Sequence, residues 1–444
     1  MEKAWEEMTA MEKQEARFEK WILRPDIRFK NNDVEARYRA RATRIKDAVQ
    51  LRRTPDRIPI APLFTFMPGF IYGVTPYDMM HTPELACAAF KKYLHEFEPD
   101  LYFTIEGIGC GQALEILDNK TLKWPGHGVP RGSGYQFVED QYMKEDEYSA
   151  FLGDLSGFEL RRYLPRASGA LHVFEKFPPV GALAGPHSGR TLGFFGREDV
   201  SKALKALLDA GRIADDWISV TDKFKKEAEE GMGFTCVGFP GALSPFDYFA
   251  DLMRGSTGMM MDMYRQPDRM LEAIQRMVPA MIHGAVSAAD EFNNPLVFMP
   301  LHKGADGWIS YEQFRKFYWP SLKEVVMGLV DEGCVPLLFA EGGYNTRLEY
   351  LNEIPKSSCI WMFDRTDMKK AKKVAGESTC IMGNVPAGLL LTSTPDKVGD
   401  YCRDLIDTAG RDGGYIMAAG AALDEVNVQN LRVMFDVTGE YGRY

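Results

Sequence analysis

Eight short stretches of the chain are apolar at almost every position. They are IPIAPLF (58–64), LYFTI (101–105), FTCVGFP (234–240), LVFMPLH (296–302), VPLLFAE (335–341), CIWMFD (359–364), TCIMGNV (379–385) and GYIMAAG (414–420). A strand with one wet face alternates polar and apolar residues. Runs without alternation are the pattern of strands covered on both faces. Between the runs lie segments with apolar residues at helical spacing, such as PELACAAFKKYLHEF, PDRMLEAIQRMVPAMIHGAVSAADEF, YEQFRKFYWPSLKEVVMGLVDEG and TPDKVGDYCRDLIDTAG. Several begin at Ser, Thr or Pro and end at Gly, as helix boundaries do. This alternation predicts an α/β fold, a (β/α)8 TIM barrel over 56–444. A doubly wound sheet fits the same elements. However, no GxGxxG or GxxxxGK[ST] loop opens a helix after the first run, which lowers the nucleotide-binding versions.

Two regions depart from the theme. Residues 1–55 read as two charged helices, about 2–21 and 33–53, forming an N-terminal helical extension on the main body. The stretch after the second run, about 107–233, is too long for one βα unit and is expected to be an insertion. Within it KWPGHGVPRGSGYQ reads as loop, and 142–152 and 197–231 as helical.

Composition narrows the function. The chain has 444 residues, a formal net charge of −10 and 45% hydrophobic residues. An acidic balance argues against nucleic acid as the main partner. No apolar stretch approaches the roughly 18 residues of a membrane span. The N-terminus lacks the apolar core of a secretory signal, so a cytoplasmic protein is expected. The seven cysteines form no CxxC pair and mostly sit in apolar runs, as buried small hydrophobes do.

In a barrel of this type the active site gathers at the C-terminal ends of the strands. The residues at the run exits are Phe64, Glu106, Pro240, His302, Glu341, Asp364, Asn384 and Gly420. Glu106, His302, Glu341, Asp364 and Asn384 are polar, and a barrel would bring them to one mouth. His302 is a candidate metal ligand or general acid/base, or a residue that ties a loop to a backbone carbonyl. Glu341 precedes two glycines that let backbone approach a ligand. A carboxylate buried there needs a cation, a metal or a raised pKa. Asp364 is a third catalytic candidate, while Asp367 suits a helix cap. Asn384 binds substrate or holds a turn. Glu106 and Tyr344 are further substrate-binding candidates, and Phe66, Met67 and Phe70 in FTFMPGF are expected to line a pocket. His95 and His283 read as structural helix residues, and His127 and His187 as loop residues.

Some segments also carry a family likeness. IPIAPLF followed by GVTPYDMMHTPELACAAF, then GWISYEQFRKFYWPSLK, VPLLFAEGG, CIMGNVPAGLL, STPDKVGDYCRDLI, GGYIMAAG and the final YGRY resemble the uroporphyrinogen decarboxylase superfamily over roughly 56–444. That superfamily includes corrinoid-dependent methyltransferases, among them those that remove O-methyl groups. The resemblance implies a (β/α)8 barrel. True decarboxylases carry an arginine-rich motif after the first strand, where this chain has FMPGFIYG, and a histidine near the last, where it has GAALDE (420–425). The methyltransferase branch often holds zinc through an HxC pair and a later cysteine. Here the pair's place reads FAE (339–341), and Ala421 stands near that cysteine's place. What remains is a carboxylate–imidazole set of His302, Glu341 and one more carboxylate, with His302 and Glu341 as the named metal candidates. Such zinc would polarise an ether oxygen better than activate a thiol.

Three functions compete. The first is a methyltransferase moving a methyl group from a small methoxylated or methylated compound to a corrinoid (cobalamin) on a partner protein, with zinc as a candidate cofactor. The second is a metal-free decarboxylase or related lyase, with Arg131, Arg161, Arg162 and Arg166 holding carboxylates. The third is a barrel that only binds. A homodimer is compatible with the N-terminal helices.

Overall fold

The computed structural model describes residues 3–238 and 241–444. The strands are β1 (Leu101–Phe103), β2 (Leu122–Pro125), β3 (Gly128–Val129), β4 (Gln136–Phe137), β5 (Thr235–Val237), β6 (Leu296–Leu301), β7 (Val335–Ala340), β8 (Ile360–Phe363), β9 (Cys380–Met382) and β10 (Tyr415–Ile416). Helices separate most of them, so the architecture is mixed α/β. β6 to β10 form a parallel sheet in the order β10-β9-β8-β7-β6, and β1 pairs in parallel with β5. All six residues of β7 are buried, which is why its sequence shows no alternation.

Among the described residues the strand assignments do not make one continuous eight-stranded ring. The first run, 58–64, forms no named strand and contributes isolated parallel bridges, Ile60 to Met417 and Phe64 to Leu423. Among the described residues, backbone bonds join the remaining gaps. Asp100 N–H donates to the Ile60 carbonyl at 2.8 Å, and Ala242 N–H to the Phe298 carbonyl at 3.0 Å. Pro59 and Pro62 lack the N–H groups a regular ladder would need there.

Side-chain alternation along the runs separates two cores. Ala61, Leu63, Leu101, Phe103, Val237, Leu296, Phe298, Val335, Leu337, Phe339, Ile360, Met362, Cys380, Met382, Ile416 and Ala418 share one cluster. Their neighbours, among them Ile60, Tyr102, Met299, Leu338, Trp361, Ile381 and Met417, point into the other, which the helices cover. Alternate residues of all eight runs thus meet in a single interior.

Two N-terminal helices, Ala10–Leu23 and Asn32–Gln50, reach that interior as well. Phe18, Trp21, Tyr38 and Ile45 belong to the inner cluster. Burying each of those aromatics stabilises the fold by about 2–3 kcal/mol. The first helix starts at a Thr9–Glu12 capping box, so its beginning is locally encoded.

Between β1 and β5 the chain makes a long helix, Glu198–Lys226, preceded by shorter ones. KWPGHGVPRGSGYQ is not pure loop. β2 pairs with β3 and β4 in a small sheet. Gly126 and Gly128, both with φ near +80°, supply a turn that apolar periodicity does not reveal. All seven cysteines are free. Among the described residues no helix is long and apolar enough to cross a membrane.

Candidate functional site

The site grows from the end of β6. His302 and Lys303 leave that strand and meet a helix that starts at Pro245, where Ser244 accepts the Asp247 N–H at 3.0 Å as an N-cap. Asp247 and Asp251 lie four residues apart and so project from one side of the helical turn. Asp247 is fully buried and accepts three hydrogen bonds: from the His302 N–H (3.2 Å), the Lys303 N–H (2.9 Å) and the Tyr318 hydroxyl (2.6 Å). Asp251 takes the His302 Nδ1 at 2.5 Å and lies 3.3 Å from Lys303 Nζ, which also reaches Glu139 at 2.6 Å. One carboxylate therefore fixes the backbone at His302 and the other fixes its ring.

Glu341 arrives from the end of β7, with Oε1 3.6 Å from His302 Nε2. Asp364, from the end of β8, accepts the Gly342 N–H at 3.0 Å and stands beside the Glu341 loop. His302, Glu341 and Asp364 are therefore brought together by three neighbouring strands. Gly304 makes the packing beneath them feasible. A Cβ there would lie 2.4 Å from the Tyr344 hydroxyl and 2.8 Å from the Tyr318 ring.

The electrostatics favour a charged imidazole. Burial works against a proton on His302, but the Asp251 hydrogen bond and the charges of Asp247, Asp251 and Glu341 outweigh it and push its pKa up to about 9. Asp247 is pushed up to about 6 by burial and by the like charge of Asp251. Burial also raises Glu341, helped by Asp247, Asp251 and Asp364 and opposed by His302. At neutral pH both His302 nitrogens carry protons. Nδ1 donates to Asp251, leaving Nε2–H on the side of Glu341.

The other candidates lie less centrally. Asn384 donates Nδ2 to the carbonyls of Asp364 (3.0 Å) and Thr366 (2.7 Å), while its Oδ1 is buried with no hydrogen-bond partner. With Asp364, Tyr401, Thr408 and Ala421 it lines a cavity of ≈ 800 Å³. Tyr344 is buried and donates its N–H to Thr366 Oγ1 at 2.9 Å. Phe66 and Met67 are buried within the outer core, and Phe70 is half-buried. Glu106 faces a different neighbourhood, where its charge acts on Tyr102, Lys225 and Cys236. Pro240 lies outside the described residues. Asp367 caps the helix Met368–Ala375 through the Lys370 N–H.

Asp247, Asp251, Tyr318 and Lys303 escape a reading of strand exits. The available signal was SPFDYFAD (244–251), a Ser-x-x-Asp start with a second carboxylate one turn on. Asp424 is another. It accepts Thr65 Oγ1 at 2.8 Å and the Phe66 N–H at 3.1 Å, fixing the chain after the first run.

His302 and Glu341 offer a metal only two donors. The one set of three His, Cys, Asp or Glu donors converging among the described residues is elsewhere, at His81, Glu115 and His127.

Residues 204–441 match the uroporphyrinogen decarboxylase (URO-D) family, and the chain belongs to that family of enzymes. No curated protein matches it. Among solved structures it is similar to a methyltransferase from Methanosarcina mazei, with 15% sequence identity, 90% of this chain and 98% of that chain covered, and a TM-score of 0.59. At that identity the likeness is one of fold.

Proposed function

We propose that the eight runs close into a (β/α)8 barrel, with residues 1–55 sealing one end and an insertion over about 107–233. The shared inner cluster and the backbone bonds between the two parallel sheets support this reading. His302, Glu341 and Asp364 then stand at its C-terminal mouth.

The chain acts there as a cytoplasmic methyltransferase, taking a methyl group from a small methoxylated compound to a corrinoid on a partner protein. The observation that carries this is the clamped His302 ring, fixed at Nδ1 and at its backbone with Nε2 left facing Glu341. Asp251 binds Nδ1, Asp247 holds the backbone, and Nε2–H is left to donate. As the bond between methyl carbon and oxygen breaks, His302 gives its Nε2 proton to that oxygen, which leaves as a hydroxyl group. Glu341, 43% exposed and 3.6 Å away, passes a proton from solvent back to the ring. The corrinoid would supply a strongly nucleophilic metal centre for the methyl group. Its amide-bearing rim suits the Asn384 cavity, where a buried acceptor has no donor. Zinc does not fit the same set. Among the described residues no third His, Cys, Asp or Glu donor converges with His302 and Glu341, short of the three protein ligands of a catalytic zinc site.

Decarboxylation ranks second. Arg161 pairs with Asp154, Arg162 and Arg166 pair with Glu147, and Arg131 stacks over Tyr77. The arginines that would hold a polycarboxylate are engaged elsewhere. The mouth itself carries Asp247, Asp251, Glu341 and Asp364 against His302, Lys303 and Arg365, and each of those cations already faces a carboxylate.

Incubating the protein with free cob(I)alamin and a panel of methoxylated aromatic compounds tests this. Methyl transfer that His302→Gln lowers by about 10²–10⁴-fold is the expected result. Carbon dioxide release from a carboxylated substrate, with no methyl transfer from any donor, would replace it with the second reading.

A further inference from the structure

Away from the His302 cluster, three side chains from three segments meet at one point. His81 ends the helix Pro76–His81, Glu115 lies in the helix Gly111–Ile116, and His127 sits in the turn between β2 and β3. Both histidines place Nε2 2.7 Å from the same oxygen, Glu115 Oε1. The geometry points to a divalent transition-metal site built from His81, Glu115 and His127, suited to zinc and independent of the methyl-transfer reading.

Proton bookkeeping is the first argument. A carboxylate oxygen only accepts, so without a metal each Nε2 must donate to it. His81 Nδ1 is also 2.8 Å from the Tyr77 carbonyl, which again only accepts. Protons alone satisfy both contacts only if the ring is doubly protonated. A cation among the three donors lets His81 keep Nδ1–H on the carbonyl and turn a lone pair inward. This is the outer hydrogen bond that metal-ligating histidines characteristically make.

The second argument is that the donors are held in place. The His81 ring stacks on Tyr77 at 3.9 Å, and Arg131 lies over the Tyr77 ring at 3.7 Å. A Cβ on Gly111 would lie 2.5 Å from the His81 ring, so glycine is required where the imidazole passes. His127 stacks on Trp124 at 4.6 Å, in a turn closed by the His127 N–H to the Trp124 carbonyl at 2.7 Å. Gly126 and Gly128 on either side of His127 both take positive φ.

Two imidazoles and one carboxylate suit zinc rather than calcium or magnesium, which take oxygen ligands. Three protein ligands leave a fourth position open. Tetrahedral bonds of about 2.0 Å set donors roughly 3.3 Å apart. The side chains of His127 and Glu115, 41% and 34% exposed, have room to move that far. The ion would tie the small β2–β3–β4 sheet to two helices.

The test is zinc binding to chelator-stripped full-length protein, by equilibrium dialysis with metal analysis. One zinc per chain is expected. His127→Ala and Glu115→Ala should weaken binding more than about tenfold, at least the loss seen for outer partners of metal ligands. Glu341→Ala should leave it unchanged. Zinc should also raise the Tm of the wild type but not of His127→Ala, whose metal-free Tm stays near wild type because His127 is exposed. Absence of stoichiometric zinc, or binding lost in Glu341→Ala but kept in His127→Ala, would overturn the site. Methyl transfer is measured separately, so either idea can fail alone.

Discussion

His302 and the His81–His127 pair use the same chemistry in opposite proportions. At the ends of β6 and β7 one imidazole is surrounded by Asp247, Asp251 and Glu341. Acceptors outnumber protons, and the surplus negative charge keeps the ring protonated. At the edge of the insertion, two imidazoles share one carboxylate oxygen. Three potential donor atoms converge on one point with a single carboxylate among them, and that donor set suits a metal ion. The ratio of carboxylates to imidazoles, not the presence of histidine, separates an acid from a ligand set.

The comparison breaks most decisively at His302. His302→Gln keeps a polar side chain but cannot deliver the proton, and methyl transfer should fall about 10²–10⁴-fold. Single-turnover rates check this, and an unchanged rate would remove the acid role.

Asp247→Ala should act on stability more than chemistry. It leaves the His302 N–H, the Lys303 N–H and the Tyr318 hydroxyl without their acceptor in a buried place. A loss of about 3 kcal/mol or more is expected in denaturant unfolding.

The pH profile sharpens the contrast. His302 titrates at about 9 in the folded protein, above the ordinary 6.5. The stability it contributes is complete below pH 6.5 and is lost as pH rises toward 9. Its acid activity should fall over the same upper limb. Asp251→Asn removes the largest favourable contribution to that proton, so the limb should move to lower pH. A limb that stays in place would show that another group carries the activity.

The smallest effect is expected from metal removal. A chelator should lower Tm modestly through the His81 site and leave single-turnover methyl transfer unchanged. A large loss of activity would place the metal in the reaction and dissolve the distinction between the two regions.

Much of the frame was readable along the chain because burial on both faces leaves a local trace. All eight apolar runs lie where alternate residues enter one interior, and both charged segments contain helices, although the first starts at Ala10 after the Thr9 cap rather than near residue 2. Strand ends pointed to His302, Glu341 and Asp364, which do meet. The Ser-x-x-Asp signal for Asp247 was also local, but nothing near it shows that its partner is an amide 55 residues away.

Other features were decided only by packing. Glu106 follows an apolar run just as Glu341 does, yet it turns toward Tyr102 and Lys225. Phe66 and Met67 resemble pocket lining and are packed into the outer core. The sheet in 122–137 depends on positive-φ glycines rather than apolar periodicity. The sequence by itself determined which segments bury a face, since that follows from residue periodicity, while several element starts, such as Ala10 and Tyr148, were settled by the folded chain. Which faces meet, and so which carboxylates surround which histidines, was decided by the tertiary structure. Charge interactions depend on distance through space, and His81 and His127 are brought to one oxygen only after the chain has folded.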